Sequence, residues 1–274
     1  MKSIRPFLWP LFACVLLVLA VAEFGRLNYS WAGWGLASCY PGCFCEAFQP
    51  GGIVQPLSSY SNFFYILAGL IILASLNPPA RDMKNNRMAR EPAYATGFGL
   101  AIVAIGVSSL FFHVSLTQFG RWLDYMGMYA FTGFALIYSL TRLFGWKGRT
   151  FSILYVILLA AFGALWVAVP EARRTLLGGL IAAILAVEGT AFWFRTGVKT
   201  TPQYFLAALA CLLVAYAVNV ADEGALCNPS SPWQWHAVWH LLTAVSAVLV
   251  YLHYRSEDET DLPGRNKPTG NASQ

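Results

Sequence analysis

Eight stretches of about 20 mostly apolar residues run through this chain, and no other feature limits its fold as severely. A helix of that length crosses the hydrocarbon core of a bilayer with every backbone group hydrogen-bonded internally. The stretches are 7–24, 58–76, 94–115, 120–143, 151–169, 175–194, 204–220 and 235–254. All connections are short but one, the polar, Gly-, Pro- and Cys-rich segment 26–57. Only 11% of the residues are charged and 57% are hydrophobic, whereas soluble domains carry about 25% charged residues. A soluble enzyme, a disordered chain and a disulfide-dense mini-protein are all excluded. The reading is an all-α, multi-pass integral membrane bundle of about eight spans, with the bilayer as its first partner. It divides into an N-terminal transmembrane helix (1–25), an outer Cys-rich loop (26–57), a seven-span body (58–254) and a tail (255–274). The tail has almost no apolar residues and is expected to be disordered and cytoplasmic. Lys2 and Arg5 precede the first apolar run as they would in a signal peptide. No small-x-small cleavage site follows near 23–26, so the run reads as a retained anchor.

The net charge of +5 does not call for nucleic acid, because Lys and Arg collect on the cytoplasmic loops of membrane proteins. With the N-terminus inside and eight alternating spans, 14 of the 18 basic residues fall inside and 4 outside: Arg26, Arg121, Arg173 and Arg174. Both termini are then cytoplasmic. Bacterial inner membrane and ER or Golgi membrane fit equally. Cys14 and Cys211 lie within spans and act as small apolar fillers. Cys39, Cys43, Cys45 and Cys227 all fall outside, where one or two disulfides are expected. The first three have a loose metal-like spacing, but no matching C-x-x-C partner exists.

Chemistry is carried by few residues. Three of the four histidines, His113, His236 and His240, fall at one depth near the outer ends of their spans. His236 and His240 are four apart, on one face of a helix, a spacing that lets two imidazoles hold one metal. Three histidines with an open fourth position form a catalytic zinc arrangement. Ser109 and Asp124 reach the same level. Taken singly, each has a plainer reading: Ser109 bonding back to its own helix, Asp124 pairing with Arg121, the histidines anchoring at the interface beside Trp233, Trp235 and Trp239. His253 lies far away at the inner end and reads as interfacial. Glu188 reads as a lone acid at the wrong depth for catalysis, bonding between helices or snorkelling.

Three segments together carry a resemblance. SSLFFHVSLTQFGRWLDYMGM reads as S-x-x-x-H with Asp eleven residues on, WHAVWH follows near the C-terminus, and PLSSYSNFFYILAGL opens the second span. Over residues 43–254 the chain resembles the alkaline ceramidases, part of a seven-span membrane hydrolase superfamily that includes the adiponectin receptors. The resemblance implies a zinc amidase that cleaves the N-acyl bond of ceramide to a sphingoid base and a fatty acid. It implies Zn2+ on His113, His236 and His240, with Asp124 and Ser109 flanking the attacking water, and a disulfide between Cys45 and Cys227. It makes the first helix an extra element. Animal members carry an acidic Ca2+ site before the first shared span. The aligned stretch here, CFCEAFQPGGIVQP, keeps Glu46 but has Cys43, Phe48 and Gln55 at the other positions, leaving too few hard oxygen ligands for Ca2+. Two other functions stand beside this expectation: hydrolysis of another acyl amide or ester lipid, and a metal-bearing, receptor-like protein without turnover.

Overall fold

A computed structural model describes residues 5–76, 85–193, 199–224 and 226–258. Most of the tail, 259–274, lies outside these residues, as do Lys2, Arg81, Lys84, Arg195, Arg265 and Lys267 of the charge count. The described chain is an all-α bundle of membrane type. Its helices are α1 (Arg5–Arg26), α2 (Pro56–Ser61), α3 (Phe63–Ala74), α4 (Arg87–Arg90), α5 (Pro92–Ser115), α6 (Gln118–Phe144), α7 (Gly148–Ala168), α8 (Arg173–Trp193), α9 (Pro202–Asp222) and α10 (Trp235–Arg255). Seven spans are long and apolar enough to cross a membrane, α2 and α3 counting together as one. The eighth expected stretch, 120–143, is the 27-residue α6. It has the length, but Arg121, Asp124 and Arg142 lower its hydropathy. The reason is its place: α6 packs against α5, α7 and α8, so much of its surface meets protein rather than lipid.

Side chains too small to fill space bring the inner helices together. A Cβ on Gly69 of α3 would stand 2.6 Å from the Gly99 carbonyl of α5. One on Gly127 of α6 would stand 3.0 Å from Ile105 Cα of α5. In lipid, where no hydrophobic effect drives helices together, this close backbone approach supplies the packing energy. The turn from α5 to α6 is equally tight. Leu116 adopts a left-handed φ of 44°, unfavourable for a residue with a Cβ. It is held there by full burial against the cluster of Trp31, Ala37 and Phe112. Thr117 then caps α6, its hydroxyl accepting from Gly120 N–H at 3.0 Å.

The loop between α1 and α2 folds over the end of the bundle. Its N–H groups use carbonyls that α5 leaves free where it ends: Gln55 donates to His113 O at 3.1 Å, Val54 to Val114 O at 3.1 Å, and Ala37 to Leu116 O at 2.8 Å. Disulfides join Cys39 to Cys43 and Cys45 to Cys227. The second ties this loop to the one between α9 and α10.

The other end holds a buried charge cluster. Arg142 of α6 pairs with Glu188 of α8 and, at 3.1 Å, with Glu257. His253 Nε2 lies 3.2 Å from Glu188, and Tyr138 donates to Glu257 at 3.0 Å. Two expectations are corrected. His253 is 3% exposed and Glu188 6%, so His253 is buried in the bundle, and Glu188 bonds between helices, as one of its two readings had it, and is neither lone nor snorkelling. The beginning of the tail is also built in, since Glu257 is buried and Asp258 pairs with Lys199 through the backbone. Charges that lie tens of residues apart in sequence find partners only through helix packing.

Candidate metal centre

At the loop end, α5 contributes His113 from its last turn and α10 contributes His236 and His240 from its first two. All three are buried, and one nitrogen from each lies within 4.8 Å of the others. Their ring centroids are 4.6 to 5.2 Å apart.

Each imidazole is oriented by a bond on its Nδ1. His113 Nδ1 lies 2.9 Å from Gln55 Oε1, His240 Nδ1 lies 2.7 Å from Ser61 Oγ, and His236 Nδ1 lies 3.0 Å from Asn219 Oδ1. The proton positions follow from the partners. Ser61 already donates its single proton to Ser58 O at 2.9 Å, so it accepts from His240. Gln55 donates its amide N–H to Glu46 O at 3.3 Å, which turns its carbonyl oxygen to His113. Asn219 presents its carbonyl oxygen to His236. All three rings therefore carry the proton on Nδ1 and leave Nε2 as a lone pair. Three converging lone pairs in a buried space repel one another unless an electrophile sits between them. Neutral imidazoles whose outer nitrogens are hydrogen-bonded are the usual donor set for zinc. The residues present fit a metal ion.

The supports come from elements already placed. Gln55 stands beside His113 because the loop backbone bonds the end of α5. Ser61 reaches His240 from α2, the polar helix written as PLSSYS. Glu46 caps that helix, its two oxygens accepting from Leu57 N–H at 2.7 Å and Ser58 N–H at 2.8 Å. The residue considered as a remnant of a Ca2+ site thus spends its carboxylate on a helix N-terminus. Asp222, 1% exposed, lies near the backbone N–H groups of Cys45, Trp235 and His236 at the start of α10. Phe44, between the two disulfides, stacks on His236 at 3.9 Å between centroids and stands 4.9 Å from His113. It roofs the centre on the loop side.

Ser109 and Asp124 meet each other. The Ser109 hydroxyl lies against the half-buried Asp124 carboxylate, one helical turn before His113 on the same face of α5. Arg121 also faces Asp124, while bonding Ser38 Oγ at 2.8 Å. Tyr65 of α3 stands between the two groups. Its ring centroid is 6.0 Å from that of His240, its charge field reaches Asp124, and its hydroxyl bonds Thr243. Asn219 and Asp222 carry no sequence signal of this role; Ser61 and Tyr65 lie in the quoted PLSSYSNFFYILAGL stretch, and Phe44 and Gln55 in CFCEAFQPGGIVQP, with nothing in the pattern that singles them out for it. Neither a scan of this chain against protein-family models nor a search of the curated proteins returns a match.

Proposed function

We propose that this chain is a zinc-dependent membrane amidohydrolase that cleaves the N-acyl bond of a ceramide-like lipid. The observation that carries the reading is the set of three buried imidazoles, each holding its proton outward to Gln55, Ser61 or Asn219. The likeness of residues 43–254 to alkaline ceramidases supports the substrate class. In this reading both termini are cytoplasmic and the three-histidine end faces outward, which the distribution of basic residues supports.

His113, His236 and His240 would hold Zn2+, which lowers the pKa of water to about 7 and polarises a carbonyl. The protein's own groups do the rest. Asp124 accepts the proton of the attacking water and returns it to the leaving amine. Ser109 holds the Asp124 carboxylate at rest, and turns its proton to the substrate carbonyl oxygen as negative charge builds there. Phe44 keeps bulk water from the loop side. A lipid comes from the bilayer instead, and its acyl chain lies along apolar helix faces. Successive helices α8 and α9 favour this: α8 packs on α6 and α9 on α10, and Gly178, Gly179 and Gly189 of α8 face open space.

The test is fatty acid release from a short-chain fluorescent ceramide by purified protein, with zinc content measured on the same samples. Asp124→Asn should keep its zinc and lose about 100- to 10,000-fold in turnover. Arg121→Gln should stay within a few-fold of wild type. Near-normal turnover in Asp124→Asn removes this residue from the mechanism. Wild-type protein that holds zinc yet releases no acid from ceramide, but does from another acyl amide or ester, moves the assignment to that lipid.

A further inference from the structure

A second group of polar side chains at the loop end takes no part in the reaction above. Arg121 near the start of α6 and Arg173 and Arg174 at the start of α8 stand close enough for their charges to repel. The carboxylates facing them are Asp124, beside Arg121, and Glu223, which accepts from Arg174 Nη2 at 3.1 Å. Of these carboxylates Asp124 is bonded to Ser109; Arg174 also bonds the Tyr125 side chain, and Glu171 lies in the turn just before Arg173. Arg121 gives its Nη1 proton to neutral Ser38. Arg173 donates Nη1 to Pro170 O at 2.5 Å and lies 5.8 Å from the Tyr125 ring centroid, while its Nε–H is buried with no acceptor among the described residues.

Gathered like charges and buried unbonded donors each cost free energy. A single kind of ligand relieves both costs, one that brings negative charge and several acceptor oxygens. Guanidinium forks match phosphate in this way. Three of them offer more donors than the two oxygens of a carboxylate can use. Below the arginines the surface turns apolar, with Phe162 of α7 and Leu176 and Leu177 of α8 only partly buried. A free phosphate ion has no use for such a wall; the acyl chains of a phospholipid do. We propose that Arg121, Arg173 and Arg174 bind the phosphate of an anionic phospholipid where α6 and α8 meet the membrane surface. This site shares none of the three histidines, and its Arg121 stands beside Asp124.

The full-length protein in a neutral detergent provides the test, through its thermal unfolding midpoint on titration with dioleoylphosphatidylglycerol. The midpoint should rise and saturate. Dioleoylphosphatidylcholine and inorganic phosphate should leave it unmoved. The triple variant Arg121→Gln/Arg173→Gln/Arg174→Gln should bind phosphatidylglycerol roughly 100-fold more weakly, about fivefold for each arginine. If the triple variant does not fold, exposed Arg174→Gln alone should show the fivefold loss. Arg26→Gln, which removes an outer charge elsewhere, should bind as wild type. No shift with phosphatidylglycerol, an equal shift with phosphatidylcholine, or an unchanged response in the arginine variants overturns the site. An equal shift with inorganic phosphate overturns the lipid as its ligand.

Discussion

At the residue scale, what makes three histidines a candidate metal centre is the set of groups on their far nitrogens. A histidine free to rotate loses entropy on binding a metal and presents either nitrogen. Here Gln55, Ser61 and Asn219 have already chosen. Gln55→Ala and Asn219→Ala should each weaken zinc binding by about 10- to 100-fold, measured by competition with a chelator, while leaving one zinc per chain at saturation. Glu46→Gln separates capping from coordination. It should cost about 0.5–2 kcal/mol of stability through the α2 cap and leave zinc affinity nearly unchanged. The histidines were legible because i,i+4 spacing and shared depth are written along the chain. Their supports were not. An amide in a loop or an Asn in the last turn of a helix has no pattern, and Gln55 meets His113 only because loop N–H groups bond the last carbonyls of α5. For the same reason Glu188 was read only as bonding between helices or snorkelling, without its partners Arg142 and His253, which lie in other helices.

At the scale of elements, helices follow from hydropathy, but their interruptions do not. The expected stretch 58–76 begins instead at Pro56 as a short polar helix and restarts at Phe63 as an apolar one. That break leaves Ser61 facing α10 and lets the remainder pack in lipid. The pair α5 and α6 decides the relation between the histidines and Asp124, through the Leu116 turn and the approach at Gly127. A side chain at Gly127 would press on the Ser108 hydroxyl and on the α5 backbone at Ile105 and Ala104. The hydroxyl can rotate away, but the backbone cannot. Gly127→Val should therefore cost about 1–3 kcal/mol and pull Asp124 away from Ser109. The expected outcome is a lowered unfolding midpoint together with lost turnover. Zinc affinity should fall less than in Gln55→Ala, because all three histidines lie on α5 and α10. A variant that lost zinc and kept turnover would contradict this account.

For the molecule as a whole, the bundle carries polar centres at its two ends and an aromatic, aliphatic core between them. His253 stands thirteen positions after His240 along α10, a rise of about 20 Å. The loop end gathers neutral imidazoles whose lone pairs converge. The far end pairs its charges internally, with Arg142 between Glu188 and Glu257 and its guanidinium 5.1 Å from the Tyr254 ring centroid. Arg142 is 5% exposed, so its charge is kept in place by partners and not by water. Arg142→Met would leave two buried carboxylates without their cation. Breaking one side of such a group typically costs about 3–5 kcal/mol, a large part of the stability of a single domain. Removing the carboxylates as well, in Arg142→Met/Glu188→Leu/Glu257→Leu, should restore much of the loss, because the cation and the two carboxylates paired with it are then removed together. Denaturation in detergent of both variants measures this, with zinc content recorded below the transition. The centre at the loop end shares no residue with this cluster, so both variants should still hold one zinc per chain. Equal destabilisation of the single and triple variants would mean that Arg142 acts through packing, not charge. Loss of zinc from a folded Arg142→Met variant would mean that the two ends are coupled through α6 and α10.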